Sequence, residues 1–304
     1  MCESFDGPPP VGQVKAEDPQ ADSLMVEARA YQKDGLMSKS RGPLKEIVRF
    51  HALAPNAPEA RYMLGRAYEA TQDYRDAFKE YGKLIDRYPH SPLYADALNH
   101  QLTMAMDAAS GKLTVPVFWG AWETEMESSV VVSWLREIVE KAPYNDMAAT
   151  ASSILARYLV EQDRPEEARR EYARLVEKYP DSRYAPESQL MVAQLWASSH
   201  TRGDNNLVNL SNAREAYEEF TLRFPSHPDA GKAMNEALNM DRLMVQQQLE
   251  VGRYYLERSR EYTSAIFCLE DVIRQKEINP EAAREAEYLL AKARAAAEAA
   301  QTES

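Results

Sequence analysis

Residues 64–89 read LGRAYEATQDYRDAFKEYGKLIDRYP, and this stretch decides the fold of the chain. Ala77 and Tyr81 are four residues apart, so in a helix they lie on one face. The alanine there lets a neighbouring helix approach, and the ring fills the space beside it. Pro89 ends the helix, because proline lacks an N–H and clashes with the preceding turn. The stretch predicts two packed helices that are joined by a turn and closed by a proline.

The same pattern of alanine, aromatic ring and proline recurs twice further along the chain, at Ala168, Tyr172 and Pro180 and at Ala213, Tyr217 and Pro225. A degenerate unit precedes residue 64, and its Pro55 lies 34 residues before Pro89. A fixed period of this length is typical of stacked helical repeats, in which each unit buries its apolar face against its neighbours.

The repeat resembles the tetratricopeptide repeat. Its signature positions are occupied by Leu64, Gly65, Tyr68, Ala77, Tyr81 and Pro89, and again by Leu155, Ala156, Leu159, Ala168, Tyr172 and Pro180. Weaker copies contain Ala28 and Tyr31, Ala193 and Trp196, and Gly252 and Tyr255. The expected fold class is all-α, a tetratricopeptide-like helical solenoid of about five to six helix pairs. A single Ala/Glu/Arg-rich helix over 281–300 is expected to cap it.

The chain divides into a tether and a folded body. Residues 1–20 contain Gly7-Pro8-Pro9-Pro10 and no helical period, which predicts a flexible N-terminal tether. Residues 21–304 are expected to form the solenoid, with a groove-bearing half over 21–143 and a second half over 144–304. Residues 93–143 form a unit that is split by an insert over 111–126.

Composition excludes several classes of function. The 304 residues have a formal net charge of -12, which disfavours nucleic-acid binding because that requires a basic face. No window is apolar enough for a transmembrane helix. The sequence also lacks GxSxG, HExxH, GxGxxG and CxxC motifs. We therefore expect no enzyme activity, no cofactor and no metal site.

Arginines follow the small residue of four leading helices, at Arg29, Arg66, Arg157 and Arg253. In tetratricopeptide repeats this position faces the concave groove, where arginines can clamp the carboxylates of a peptide. The competing interpretation is ion pairing within each helix. Arg66 has Glu69 at i+3, and Arg157 and Arg253 have glutamates at i+4; such pairs contribute about 0.2–0.5 kcal/mol each.

Two other features stand out from the repeats. The insert contains Phe118, Trp119 and Trp122, which form a partner contact or hold the insert against the solenoid. Cys2 precedes the proline-rich tether, as the lipidated cysteine does at the mature start of a bacterial lipoprotein. The alternative is that this cysteine has no role.

The arrangement resembles the BamD family of lipoproteins, which belong to the outer-membrane β-barrel assembly machinery. Three features support the resemblance: a cysteine-led tether before five or so repeats, the insert Phe118-Trp119-Gly120, and the stretch 241–258, which reads DRLMVQQQLEVGRYYLER. Ser259-Arg260-Glu261 follows where the family has a glycine turn.

The resemblance implies a scaffold on the periplasmic face of the outer membrane, anchored by lipid on Cys2. Its C-terminal repeats would bind the barrel-forming subunit, which has repeated periplasmic domains, with Arg242 and Arg253 at the contact. Its N-terminal groove would receive unfolded outer-membrane protein segments, with Arg29, Tyr62, Arg66, Glu69 and Arg157 as candidates. The alternative is another envelope adaptor of the same fold, for pilus assembly or cell division.

Overall fold

The computed structural model describes residues 17–117, 122–199 and 206–302. Within these ranges the chain forms thirteen α-helices, a π-helical turn and one two-stranded antiparallel sheet. The chain separates into two compact units, with the boundary between Tyr158 and Leu159. The predicted division at 143/144 follows the repeats, and it stays a prediction.

The first unit consists mainly of antiparallel helix pairs. Its elements are α1 (Pro19–Lys33), α2 (Met37–Phe50), α3 (Ala57–Glu69), α4 (Tyr74–Arg87), α5 (Tyr94–Ala109), β1 (Thr114–Val117), β2 (Trp122–Glu125), α6 (Ser128–Lys141) and most of α7 (Asp146–Glu161). Each helix of the series α1 to α6 packs against the next. Pro19 is the first residue of α1, so the last two residues of the predicted tether are helical.

The second unit contains α8 (Pro165–Lys178), α9 (Ala185–Ser199), α10 (Asn206–Arg223), α11 (Ala230–Tyr254), the π-helical turn (Tyr255–Ser259), α12 (Tyr262–Arg274) and α13 (Pro280–Thr302). The helix α11 has 25 residues, and it packs against α10 as well as α12 and α13. The predicted capping helix over 281–300 corresponds to α13.

Close helix approach within the pairs depends on the signature small residues. A Cβ placed on Gly65 would lie 2.7 Å from Cε1 of Tyr81, whose side chain is fully buried. A Cβ on Gly252 would lie 2.9 Å from Cδ2 of Leu269. The aromatic ring of Tyr81 or the side chain of Leu269 thus occupies the space that the missing glycine side chain leaves.

A buried ion pair joins α3 to α4. Nη1 of Arg61 lies 2.7 Å from Oε2 of Glu80, and the two side chains are only 6% and 10% exposed. Lys83 donates to the other oxygen of Glu80 at 2.7 Å. Charges removed from water in this way persist only when they are paired and hydrogen-bonded.

The turn inside a helix pair repeatedly places one residue in the left-handed region. In the α1/α2 turn this residue is Gly35, with φ of 73°. The corresponding residues in later pairs are Gln72, Asp163 and Arg260, with φ of 62°, 52° and 56°. Arg260 adopts this conformation at the energetic cost that a side chain there imposes.

The insert differs from the all-helical expectation. Thr114 to Val117 pair in antiparallel register with Trp122 to Glu125, so that Thr114 lies opposite Glu125. Four residues with a proline at the third position give too short an alternating pattern for sequence to predict a strand. The fold class is otherwise confirmed: the chain is all-helical, with tetratricopeptide-like repeats.

No helix in the described part of the chain is long and apolar enough to span a bilayer.

Candidate peptide-binding site

The first unit has a pocket of about 340 Å³ where α1, α2 and α3 meet. Tyr62, Met63, Arg66, Glu69 and Ala70 line it from α3, together with Gln32 of α1 and Met37 of α2. Tyr62, Arg66 and Glu69 are spaced at i, i+4 and i+7, so they share one face of α3. The sequence-predicted groove residues Tyr62, Arg66 and Glu69 are therefore brought together.

Gln32 ties the first helix of one repeat to that of the next. Its Nε2 donates to the carbonyl oxygen of Met63 at 3.2 Å. The thioethers of Met37 and Met63 give the pocket apolar walls that can adapt to different side chains. Together with the ring of Tyr62 and the guanidinium of Arg66, these walls suit an apolar group with a polar or anionic neighbour.

A hydrogen-bonded cluster of rings holds Glu69 in place. The hydroxyl of Tyr81 donates to Oε2 of Glu69 at 2.7 Å, and Nδ1 of His100 lies 3.0 Å from the same oxygen. Nε2 of His100 lies 3.2 Å from the hydroxyl of Tyr62. The rings of Tyr81 and His100 stack at 5.0 Å. This cluster connects α3, α4 and α5 behind the pocket.

The cluster sets the protonation of its members. Partial burial alone would raise the pKa of Glu69, but hydrogen bonds from His100 and Tyr81 and the nearby Arg66 outweigh it and lower that pKa. Burial and the hydrogen bond to Glu69 raise the pKa of the Tyr81 phenol. The hydroxyl of Tyr62 raises the pKa of Arg66. The pocket therefore presents a permanent cation beside a carboxylate that is already hydrogen-bonded.

The other groove candidates do not line this pocket. Nη2 of Arg29 lies 2.7 Å from Oε1 of Glu59, which pairs α1 with α3. Arg29 has no acidic residue at i+3 or i+4 in its own helix, and its partner comes from the next repeat. Arg157 is exposed on α7 and contributes no side chain to the pocket lining.

In the second unit, Arg253 forms ion pairs, but not with the predicted partner. Nη1 of Arg253 lies 3.0 Å from Oε2 of Glu250, and its Nη2 pairs with Glu285 of α13. The sequence had predicted Glu257, at i+4, as the partner. The contact with Glu285 links two helices, so it could not be predicted from the spacing of residues within one helix. Arg242 is exposed on α11, and its carbonyl oxygen accepts a hydrogen bond from Asn279.

The insert and the tether are described only in part. Trp122 lies on β2 and is 65% exposed. Phe118, Trp119 and Cys2 lie outside the described residues. Their predicted roles, in partner contact and lipidation, stay predictions.

Sequence reasoning missed Gln32, Met37, Met63 and His100. One signal could have found His100, because several side-chain contacts join residues about one repeat apart. Examples are Asp22 with Asn56, which are 34 residues apart, and Tyr62 with His100, which are 38 apart. Adding one period to a groove position thus locates its neighbour in the next repeat only to within about one helical turn.

The side chains of the site provide binding chemistry: one cation, hydrogen-bond donors, an aromatic ring and two thioethers. Among the described residues, no group of three or more His, Cys, Asp or Glu side chains is placed to hold a metal ion.

Comparison with known proteins identifies two repeats. The tetratricopeptide repeat family matches residues 59–91 and 151–182, and the first of these segments contains most of the pocket. No curated protein matches the chain.

Solved structures with low similarity to the chain include three bacterial proteins. PilF of Pseudomonas aeruginosa is 13% identical, with 90% of this chain and 99% of that chain covered and a TM-score of 0.31. MamA of Desulfovibrio magneticus RS-1 is 16% identical, with coverage of 70% and 99% and a TM-score of 0.31. A repeat protein of Cytophaga hutchinsonii is 11% identical, with coverage of 91% and 89% and a TM-score of 0.35.

None of these three likenesses is strong enough to indicate what the chain binds. The sequence match at 59–91 covers α3 and α4, which pack against each other, and the match at 151–182 covers most of α7 and all of α8. The chain therefore contains tetratricopeptide repeats, which generally form non-catalytic scaffolds for protein–protein interaction.

Proposed function

We propose that the chain is a scaffold of the BamD type, which binds unfolded outer-membrane protein segments and the barrel-forming subunit of the assembly machinery. One observation carries the proposal: the predicted groove residues Tyr62, Arg66 and Glu69 line one pocket in the first unit. An extended polypeptide can place an apolar side chain between Met37 and Met63 while Arg66 contacts a neighbouring carboxylate.

The second half of the proposal rests on the stretch 241–258, which resembles the BamD family. Arg242 is exposed there and available for contact. A lipid on Cys2 would hold the scaffold at the periplasmic face of the outer membrane, close to the barrel-forming subunit.

The pocket is tested by measuring the affinity of peptides from unfolded outer-membrane proteins for purified protein. Tyr62→Ala and Arg66→Glu are expected to weaken binding several-fold, because they remove the aromatic wall and reverse the charge. Lys79→Glu is the matched control, since it reverses an exposed cation on α4 away from the pocket. Equal affinity of Arg66→Glu and Lys79→Glu would contradict a role for the pocket.

Partner identity is tested by placing a photoreactive residue at position 242 in the cell envelope. The carbonyl that accepts from Asn279 is in the backbone, so the substitution leaves that hydrogen bond in place. Capture of a β-barrel protein with repeated periplasmic domains supports the proposal. Capture of a pilus or division protein instead would favour the alternative adaptor.

A further inference from the structure

Arg66 is the cation of the pocket, and its charge is left for a ligand. Arg29, at the same position of the preceding repeat, pairs with Glu59. Arg66 has no carboxylate within ion-pair distance in the described part of the chain, because its neighbour Glu69 is held on the far side of α3 by other groups. An unpaired guanidinium at the wall of a pocket is suited to bind an anion.

Glu69 is held by one carboxylate oxygen and leaves the other open. The hydroxyl of Tyr81 donates to Oε2 of Glu69, and Nδ1 of His100 lies 3.0 Å from the same atom. No described residue donates a hydrogen bond to Oε1. Since the side chain is 29% exposed and lines the pocket, Oε1 is the oxygen that a ligand reaches. Glu69 therefore offers a fixed negative charge to a cation.

The apolar wall and the two charges follow one another along α3 in a fixed order. Tyr62, Met63 and Met37 form the apolar end of the pocket, and Arg66 and then Glu69 come after it. Positions 62, 66 and 69 are about 6 Å and 4.5 Å apart along the helix axis. Alternate side chains of an extended segment are about 6.7 Å apart on one face. The long side chains of arginine and lysine cover the difference, so one extended segment reaches all three groups.

We propose that the pocket selects an extended segment with a fixed order of side chains at alternate positions: an apolar residue, then an acidic one, then a basic one. The apolar side chain lies between the two methionines, the acidic side chain binds Arg66, and the basic side chain binds Oε1 of Glu69. This inference rests on the proposed function, since it names the sequence pattern that the proposed peptide site would bind.

Charge complementarity separates this pattern from other segments. A segment with acidic residues at both charged positions is repelled by Glu69, and a segment with two basic residues is repelled by Arg66. A wholly apolar segment would cover both charges without pairing them, which costs free energy. The swapped order, basic before acidic, places like charges together at both positions. The electrostatics of the pocket therefore favour one order.

The test compares two blocked peptides of the same composition, Phe-Thr-Asp-Thr-Lys and Phe-Thr-Lys-Thr-Asp, each between the same flanking residues. Their net charges are equal, so a difference in affinity for the full chain reports the order alone. Two attractions are replaced by two repulsions in the second peptide, and we expect the first to bind about tenfold more tightly. Equal affinity, or tighter binding of the second peptide, would overturn the inference.

Two variants show whether the pocket side chains produce this preference. Arg66→Gln and Glu69→Gln should each reduce it to about threefold, because each removes one charged contact. Lys79→Gln and Glu140→Gln are the matched controls. They remove the same charges from exposed positions on α4 and α6, and they should leave the preference at about tenfold. A preference that stays unchanged in both pocket variants would place the discrimination elsewhere and overturn the inference.

A peptide from an unfolded outer-membrane protein is the reference that separates this inference from the proposed function. If the reference binds and Tyr62→Ala weakens its binding, whereas the two ordered peptides bind equally, the pocket is a peptide site without this selectivity. If the reference does not bind but the order preference is found, the selectivity stands and the proposed function fails. If no peptide binds, both are overturned.

Discussion

Replacing Gly65 with alanine should destabilise the first unit and disturb the pocket. The new Cβ would lie 2.7 Å from Cε1 of Tyr81 and 2.9 Å from its Cδ1 and Cζ. These atoms belong to a rigid ring that is fully buried. The ring is also stacked on His100, and its hydroxyl is bound to Glu69. The ring therefore cannot rotate aside without breaking contacts that shape the site.

The magnitude follows from two opposing effects. Overpacking a tight contact costs about 1–3 kcal/mol. Alanine in place of glycine in a helix stabilises by about 1 kcal/mol. The expected net loss of unfolding free energy is about 1 kcal/mol, which lowers the melting temperature by about 2–4 °C. Displacement of Tyr81 should also weaken peptide binding, since Glu69 loses its phenol donor.

The assay is urea and thermal unfolding followed by circular dichroism, together with the peptide affinity. Gly231→Ala is the matched control, because a Cβ there meets nothing within 4 Å. It should leave stability unchanged or increase it by up to about 1 kcal/mol. Gly252→Ala should cost less than Gly65→Ala, because its nearest contact is at 2.9 Å instead of 2.7 Å and is the end of a leucine instead of a rigid ring.

One result would refute this reasoning. If Gly65→Ala stabilises the protein as much as Gly231→Ala and leaves peptide affinity unchanged, the Tyr81 ring is free to move. In that case the cluster behind the pocket does not position Glu69.

Other changes test the interior, the turns and the carboxylate. Glu80→Leu leaves Arg61 buried without its carboxylate, and urea unfolding should show that the unfolding free energy falls by about 3–5 kcal/mol. Adding Arg61→Met should largely restore that free energy. Gln72→Gly relieves a left-handed side chain and should raise the unfolding free energy by about 0.5–1 kcal/mol; a decrease would mean that the turn carries no strain. The lowered pKa of Glu69 means that its ionised form stabilises the fold above its ordinary value of 4.5. The unchanged protein should therefore lose its advantage in unfolding free energy over the Glu69→Gln variant as pH falls below that value. A constant difference in unfolding free energy from pH 7 to pH 3 would contradict this.

The helices could be predicted from sequence because their signals are local. Leu64, Gly65, Ala77 and Tyr81 are close in the chain, and their spacing alone specifies which faces pack. The hairpin could not be predicted, because its stability comes from the anchors Leu113 and Met126 and hardly from its own short strands.

Partners in the candidate site were harder to predict than the helices. The i+3 and i+4 rules consider one helix, whereas Arg29 pairs with Glu59 and Arg253 with Glu285, each in another helix. Such pairs depend on how neighbouring repeats stack, and the repeat period is the only feature of the sequence that indicates this stacking. The sequence singled out Tyr62, which lines the pocket, whereas the identity of its partner His100 required the structure.

The length of α11 has a consequence for how the second unit unfolds. Ala233 and Ala237 in its first half are buried, and Oδ1 of Asp241 lies 3.6 Å from Nε of Arg214 in α10. Its second half packs through Gly252 against Leu269 of α12. This helix of about 37 Å runs without a break between the two sets of contacts, so unfolding at one end removes support from the other. The helices from α10 to α13 should therefore lose their structure as one cooperative block, so that fraying from the C-terminus would spread towards the middle of the chain.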